Sequence, residues 1–190
     1  MGIARNLLIE ASQSRWLREH AMRWNFVRRA SSRFLPGERV EDAIAAAEVV
    51  RRGDIGSVFS RLGENVTEAK EANEVADHYI QVLSQLRARG LPGSLSVKLT
   101  QLGLDLDKEL CYGNLARILD ASTDASGGDG IIWVDMESSA YVERTIEIYR
   151  RARAAYPHVG ICLQSYLRRT PQDLEALLPL GSAVRLVKGA

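Results

Sequence analysis

Hydrophobic positions along the chain follow two rhythms that change near Gly53. In the first stretch Ile3, Leu7, Leu8 and Ala11 recur at helical spacing, and Trp16, Leu17, Met22, Trp24 and Phe26 continue the stripe less regularly. Pro36-Gly37 breaks it. The alanine-rich run Val40-Glu-Asp-Ala-Ile-Ala-Ala-Ala-Glu-Val-Val50 resumes a helix that stops before Gly53. The pattern predicts an N-terminal helical segment over residues 1–52, with its aromatic side chains serving as core.

From Gly53 the pattern becomes strand, then helix, repeated. Residues 54–62 read as a strand ending at Gly63-Glu64. Thr67 reads as the N-cap of the next helix; Lys70 stands where a capping-box acid belongs, and Glu71 comes one position late. That helix runs through Val75, Tyr79, Val82 and Leu86 to Gly90, and Pro92-Gly93 makes a turn. Ser94-Leu-Ser-Val-Lys-Leu-Thr100 alternates cleanly, as a strand does. Further strands are predicted over 131–136, 159–164 and 183–188, with helices over 107–121 and 139–156 and a short one that Thr170-Pro171 caps. Residues 126–130 read as a glycine-rich loop.

About five apolar strands, each but the last followed by a helix, imply a parallel sheet covered by helices, over a domain spanning 53–190. Two closures satisfy that pattern: an open doubly wound sheet or a barrel. No G-x-G-x-x-G follows any strand, which weakens the dinucleotide-binding sheet. A complete barrel takes eight βα units over roughly 250 residues. The expected fold class is therefore α/β, a (βα)8 TIM-like barrel interrupted after about its fifth strand, preceded by a helical segment.

Composition narrows the functional classes. With 190 residues, 46% of them hydrophobic and 26% charged, the chain has the make-up of a soluble globular protein. A formal net charge of +1 supplies no global field for nucleic acid, and none is expected as a partner. Cys111 and Cys162 lie in different elements without metal-ligand spacing, so reduced thiols and no metal site are expected. The N-terminal stretch is too polar and too short for a signal peptide or a membrane span.

In parallel barrels the chemistry sits at the carboxyl ends of the strands. Those ends carry Glu64, Lys98, Asp135, Glu137, Gln164, Arg185 and Lys188, at least one polar group per strand. Lys98 follows Val97 in an alternating strand, so it points away from the face Val97 takes. A lysine under the helix layer would be costly, which places Lys98 at the barrel mouth. Asp135 shares a side of its strand with Trp133, and a carboxylate near Lys98 would offset part of both desolvation costs. On these grounds alone an ordinary buried ion pair explains the two residues nearly as well as an active site. Likewise, the final stretch Ala183-Val-Arg-Leu-Val-Lys-Gly-Ala190 reads either as a strand delivering cations to an anionic ligand or as a solvated basic tail.

Four segments together carry a resemblance. Ser96-Val-Lys-Leu-Thr-Gln-Leu-Gly103, Trp133-Val-Asp-Met-Glu137, Gly160-Ile-Cys-Leu-Gln-Ser-Tyr166 and Arg185-Leu-Val-Lys-Gly-Ala190 resemble, in order, the strand motifs of proline dehydrogenases. Leu62-Gly-Glu64 is similar to that family's first strand end, and the expected type is the monofunctional bacterial form. The resemblance implies a distorted barrel that binds FAD, oxidises L-proline to pyrroline-5-carboxylate and passes electrons to a membrane quinone. It implies catalytic roles for Lys98, Asp135 and Glu64, with Lys98 and Ala190 at the substrate and Glu64 gating the site. It implies cofactor contacts from Asp135, Gln164, Arg185, Val187, Lys188, Gly189 and Ala190. The expected location is cytoplasmic, peripheral to the inner membrane. The family's last strands and its final arginine-bearing helix have no counterpart here, so the chain alone is expected to be a poor oxidase that self-associates through open sheet edges. The alternatives are a Schiff-base lyase using Lys98 or Lys188, or an inactive flavin-barrel fragment.

Overall fold

The computed structural model describes residues 37, 39–63, 66–125 and 130–189. The chain divides into two compact units between Val49 and Val50. The helices expected before Pro36 lie outside the described residues. In the first unit, α1 (Val40–Arg51), whose last residues cross into the second, realises the alanine-rich prediction, burying Ile44 and Ala47. Glu41 and Asp42 in its first turn and Arg51 in its last complement the helix dipole.

The second unit alternates strand and helix: β1 (Phe59–Ser60), α2 (Ala69–Ala88), β2 (Leu95–Val97), α3 (Lys108–Ala125), β3 (Ile132–Val134), α4 (Val142–Ala155), β4 (Val159–Gln164), α5 (Thr170–Leu177) and β5 (Ala183–Val187). All strands are parallel and the sheet order is β1-β2-β3-β4-β5. That order decides between the two closures. Each strand lies beside its predecessor and the order never reverses, so there is no switch point of the doubly wound kind. Parallel βαβ crossovers are right-handed as a rule, and with this strand order that rule puts the connecting helices on one side of the sheet. The fold is a partial (βα) barrel: an arc of strands lined outside by helices.

Strand alternation then assigns two faces. Leu95, Val97, Ile132, Val134, Val159 and Ile161 form the helix-facing side, each 0% exposed. Against this side α2 brings Ala72, Val75, Ala76, Tyr79, Val82, Leu83 and Leu86, the three- and four-residue spacing of one helical face. Burying each large side chain of this layer stabilises by about 1.5–3 kcal/mol before conformational entropy is counted. The opposite, luminal side carries Ser96, Trp133, Asp135, Gly160, Cys162, Gln164 and Arg185.

Local departures from expectation have physical causes. The first strand is two residues long rather than nine positions from 54 to 62. Asp54 is left-handed, with φ 58°, and belongs to the turn that ends α1. Ile55 and Val58 stay exposed, and β1 pairs on one side only. At α2 the N-cap is Glu68, not Thr67. The late Glu71 nevertheless reaches back, accepting from Thr67 N at 3.0 Å and Thr67 Oγ1 at 3.4 Å, and the Thr67 amide is the main cause holding its pKa down. Thr170 is the first helical residue of α5 rather than its cap; its hydroxyl donates to Gln164 O at 2.6 Å and ties α5 to the end of β4. A 3-10 turn over Ser139–Tyr141 precedes α4. Residues 126–129 of the expected loop lie outside the described residues.

Candidate active site

Strand register builds the site. Val97, Val134, Ile161 and Val184 are successive partners across β2 to β5. The residues one step further along are Lys98, Asp135, Cys162 and Arg185. Cys162 and Arg185 are themselves paired, and Asp135 N donates to Val97 O at 2.9 Å. One level of the sheet therefore presents a lysine, a carboxylate, a thiol and a guanidinium in sequence.

Three of these meet through side chains, together with Ser96. Arg185 Nη2 donates to Asp135 Oδ1 at 2.8 Å and to Ser96 Oγ at 2.9 Å. Ser96 Oγ donates to Asp135 Oδ1 at 2.5 Å. Arg185 Nε donates to Cys162 Sγ at 3.1 Å, and Cys162 Sγ donates to Asp135 Oδ1 at 3.3 Å. The ion pair is partly screened: side-chain exposure is 37% for Arg185 and 20% for Asp135. Burial, then the neighbouring Asp135, pushes the Cys162 thiol up to about 12, so it keeps its proton at neutral pH. The Arg185 guanidinium lies 5.5 Å from the centre of the Trp133 ring. Gly160 makes room for that ring, since a Cβ there would approach Trp133 to 2.7 Å.

The strand ends above this level are tied to one another. Gln164 Nε2 donates to Met136 O at 3.0 Å and Glu137 O at 3.1 Å. Its Oε1 is buried with no hydrogen-bond partner among the described residues. Glu137, read as a site carboxylate from its strand-end position, accepts from Thr100 N at 3.1 Å and Thr100 Oγ1 at 2.5 Å, clasping the end of β3 to the turn after β2. Lys98 is half-buried, and its ammonium makes no hydrogen bond or ion pair, with Asp135 or any other group, among the described residues. Beyond β5, Lys188 O accepts from Tyr166 N and from Ser165 Oγ, each at 3.2 Å, while the Lys188 side chain is exposed. Gly189 has φ +103°, and a Cβ there would come within 2.0 Å of the Tyr166 ring, so only glycine fits. Val187 pairs with Gln164. Glu64 and Ala190 lie outside the described residues.

A separate cleft of about 310 Å³ lies between α2 and the segments that follow β1 and β2; Arg61, Glu71, Glu74 and Gln101 are among its walls. Among the described strand-end residues, Lys98, Asp135, Glu137, Gln164, Arg185 and Lys188 do not line it. The sequence reading missed Ser96, Cys162 and the Trp133–Gly160 contact. Parity was the available signal: Ser96 shares a face with Lys98, and Cys162 shares one with Gln164.

A sequence model of the proline dehydrogenase family matches residues 43–190. The chain belongs to the proline dehydrogenase family. It is 32% identical over 186 residues to Proline dehydrogenase 1 of Bacillus subtilis strain 168, covering 98% of this chain and 60% of that protein. It is 33% identical over 172 residues to the proline dehydrogenase of Deinococcus radiodurans, covering 88% of this chain and 53% of that one. The chain thus spans about 60% or less of the length of these relatives. Among solved structures, it superposes on proline utilization A of Bdellovibrio bacteriovorus inactivated by N-propargylglycine with a TM-score of 0.74, at 23% identity, over 86% of this chain and 20% of that one. The corresponding protein of Corynebacterium freiburgense gives 0.64 at 24% identity, over 81% and 17%. These two likenesses establish the shared barrel fold.

Proposed function

We propose that this chain supplies the flavin- and proline-handling strands of an FAD-dependent oxidation of L-proline to pyrroline-5-carboxylate, with a membrane quinone taking the electrons. The observation that carries the reading is the Arg185–Asp135 contact, made across the carboxyl ends of the strands in a member of this family.

The residues fit a flavin. Gln164 Oε1 is a buried acceptor without a donor among the described residues, which suits an N–H on the edge of an isoalloxazine ring. Arg185 Nη1 makes no hydrogen bond among the described residues, so the guanidinium has an edge to offer an anionic ring. When bound, FAD accepts the hydride that leaves the proline ring. Arg185 places a fixed cation where a reduced flavin gathers negative charge, with no reorganisation needed at that moment. Asp135 holds Arg185 in place. Lys98, with no partner among the described residues, is the counter-ion for the proline carboxylate. In this reading the backbone at Val187 and Gly189 would lie against the flavin, and Gly189 has a positive φ that favours glycine. Lys188, Glu64 and Ala190 complete the proposed set.

No helix among the described residues is long and apolar enough to cross a membrane. A peripheral, cytoplasmic location is proposed with the quinone. Self-association through the β1 and β5 edges belongs to the same proposal; Leu186 on β5 is 58% exposed. The test is anaerobic addition of L-proline to the purified intact protein: bound flavin should bleach, and D-proline should leave it oxidised. A protein without flavin absorbance, or one whose flavin ignores L-proline, contradicts the reading.

A further inference from the structure

We infer that Cys162 and Ser96 are positioning residues that fix the aim of the Arg185 guanidinium and the Asp135 carboxylate. The inference rests on the flavin reading above for its consequence, though not for its geometry.

The hydrogen bonds form two matching relays. Ser96 donates to Asp135 Oδ1 and accepts from Arg185 Nη2. Cys162 donates to the same Oδ1 and accepts from Arg185 Nε. Each side chain has one proton to give and lone pairs to receive, so each can stand between an acid and a base that are both charged. Neither Asp135 alone nor a simple ion pair would do this. A guanidinium held only through Nη2···Oδ1 pivots about that contact. A second anchor, at Nε, fixes the direction of its plane. With Nε and Nη2 both engaged, the edge left over is Nη1, which has no partner among the described residues. The carboxylate is fixed in the same way: Oδ1 receives three donors, and Oδ2 receives none among the described residues.

Position in the sheet explains why small residues do this. Ser96 and Cys162 sit on the luminal faces of β2 and β4, flanking β3, which carries Asp135. Ser96 is 3% exposed and Cys162 2%. Each is therefore shielded from water that would compete for Asp135. Burial also keeps the Cys162 proton in place, which the relay needs. The thiol is a hydrogen-bonding spacer, not a nucleophile.

The test compares Cys162→Val with Cys162→Ser. Valine keeps a similar volume and suits a strand, so it removes the relay without removing the fold. Serine retains a proton to donate and lone pairs to accept. The first readout needs no flavin: the Arg185 Nε–H resonance in a ¹⁵N spectrum, identified by its loss in Arg185→Lys. The second is FAD affinity of the apoprotein, by quenching of flavin fluorescence. Cys162→Val should move the Nε–H resonance and speed its exchange with water. It should also weaken FAD binding about tenfold, the scale of one lost hydrogen bond to a charged group. Cys162→Ser should restore both to near the parent, and Ser96→Ala should weaken FAD binding in the same direction. If Cys162→Val leaves either the resonance or the affinity at its parental value while the parent binds FAD, the inference is overturned. If the parent takes up no FAD yet Cys162→Val still releases the Nε–H, positioning stands and the flavin reading falls.

Discussion

The two faces of one sheet solve different problems with the same strands. On the helix side, Leu95, Val97, Ile132, Val134, Val159 and Ile161 are fully buried and wholly apolar. On the luminal side the same three strands, joined by β5, carry a serine, a carboxylate, a thiol, an amide and a guanidinium. The first face is held by packing, where hydrophobic side chains of similar volume substitute at modest cost. The second is held by directed bonds, where shape alone is not enough. Stability should therefore follow substitutions on the helix side, and ligand handling those on the luminal side.

Ile161→Ala against Arg185→Met breaks or sharpens that division most strongly. Truncating Ile161 should cost about 2–5 kcal/mol in urea unfolding, the range for large-to-small changes in a packed core. Arg185→Met removes a partly exposed ion pair and should cost far less. Equal losses would show that the luminal network is a structural core and not a site. Next in size, if the proposed reading holds, Lys98→Met in the intact protein should raise the KM for proline by roughly 10- to 100-fold, the value of one charge-assisted contact, with flavin content unchanged. A parallel loss of flavin would move Lys98 from substrate to cofactor.

One thiol also lies on each side of the sheet, Cys111 from α3 and Cys162 from β4, which gives a smaller test. Cys111 donates to Leu99 O at 3.4 Å on the helix side, and Cys162 belongs to the luminal cluster. Burial pushes both up to about 12. An unfolded cysteine titrates near 8.5. The folded state thus favours the protonated thiols, a contribution fully present below about pH 8.5 and lost as pH climbs toward 12. Thermal unfolding followed from about pH 7 to pH 11 should show falling stability, with a shallower slope in Cys111→Ala joined to Cys162→Val. An unchanged slope would mean that neither thiol is shielded as described. Smallest of all, Lys108→Ala breaks the exposed pair with Glu147 between α3 and α4, and should leave the unfolding midpoint within error at physiological salt.

The sequence made the luminal face partly legible. Period-two alternation placed Lys98 opposite Val97 and put Asp135 with Trp133, and strand-end reasoning found Gln164 and Arg185. The structure brings Asp135 and Arg185 into contact, whereas Lys98 makes no ion pair with Asp135. Ser96 and Cys162 escaped notice because small side chains inside apolar strands read as packing; their role shows only when register sets them beside charged neighbours. The first strand is shorter than the pattern predicts because Ile55, a strand-like residue, donates its N–H to Val50 O in the turn that ends α1, and pairing with β2 begins only at Phe59, beyond the exposed Val58. Thr-Pro reads as a helix opening with Thr170 as cap, but the Thr170 hydroxyl donates to Gln164 O and the residue is the first of α5.

The central claim, that the luminal cluster receives the flavin, meets its most direct test in Arg185→Met of the intact protein. The substitution keeps bulk and removes both the charge and the forked donors. Flavin content per chain and the midpoint potential of the bound flavin are read by visible absorbance during a reductive titration. The account predicts reduced flavin content and, in whatever flavin remains, a lower potential, because the cation that stabilises the reduced ring is gone. Parental content together with a parental potential would contradict it.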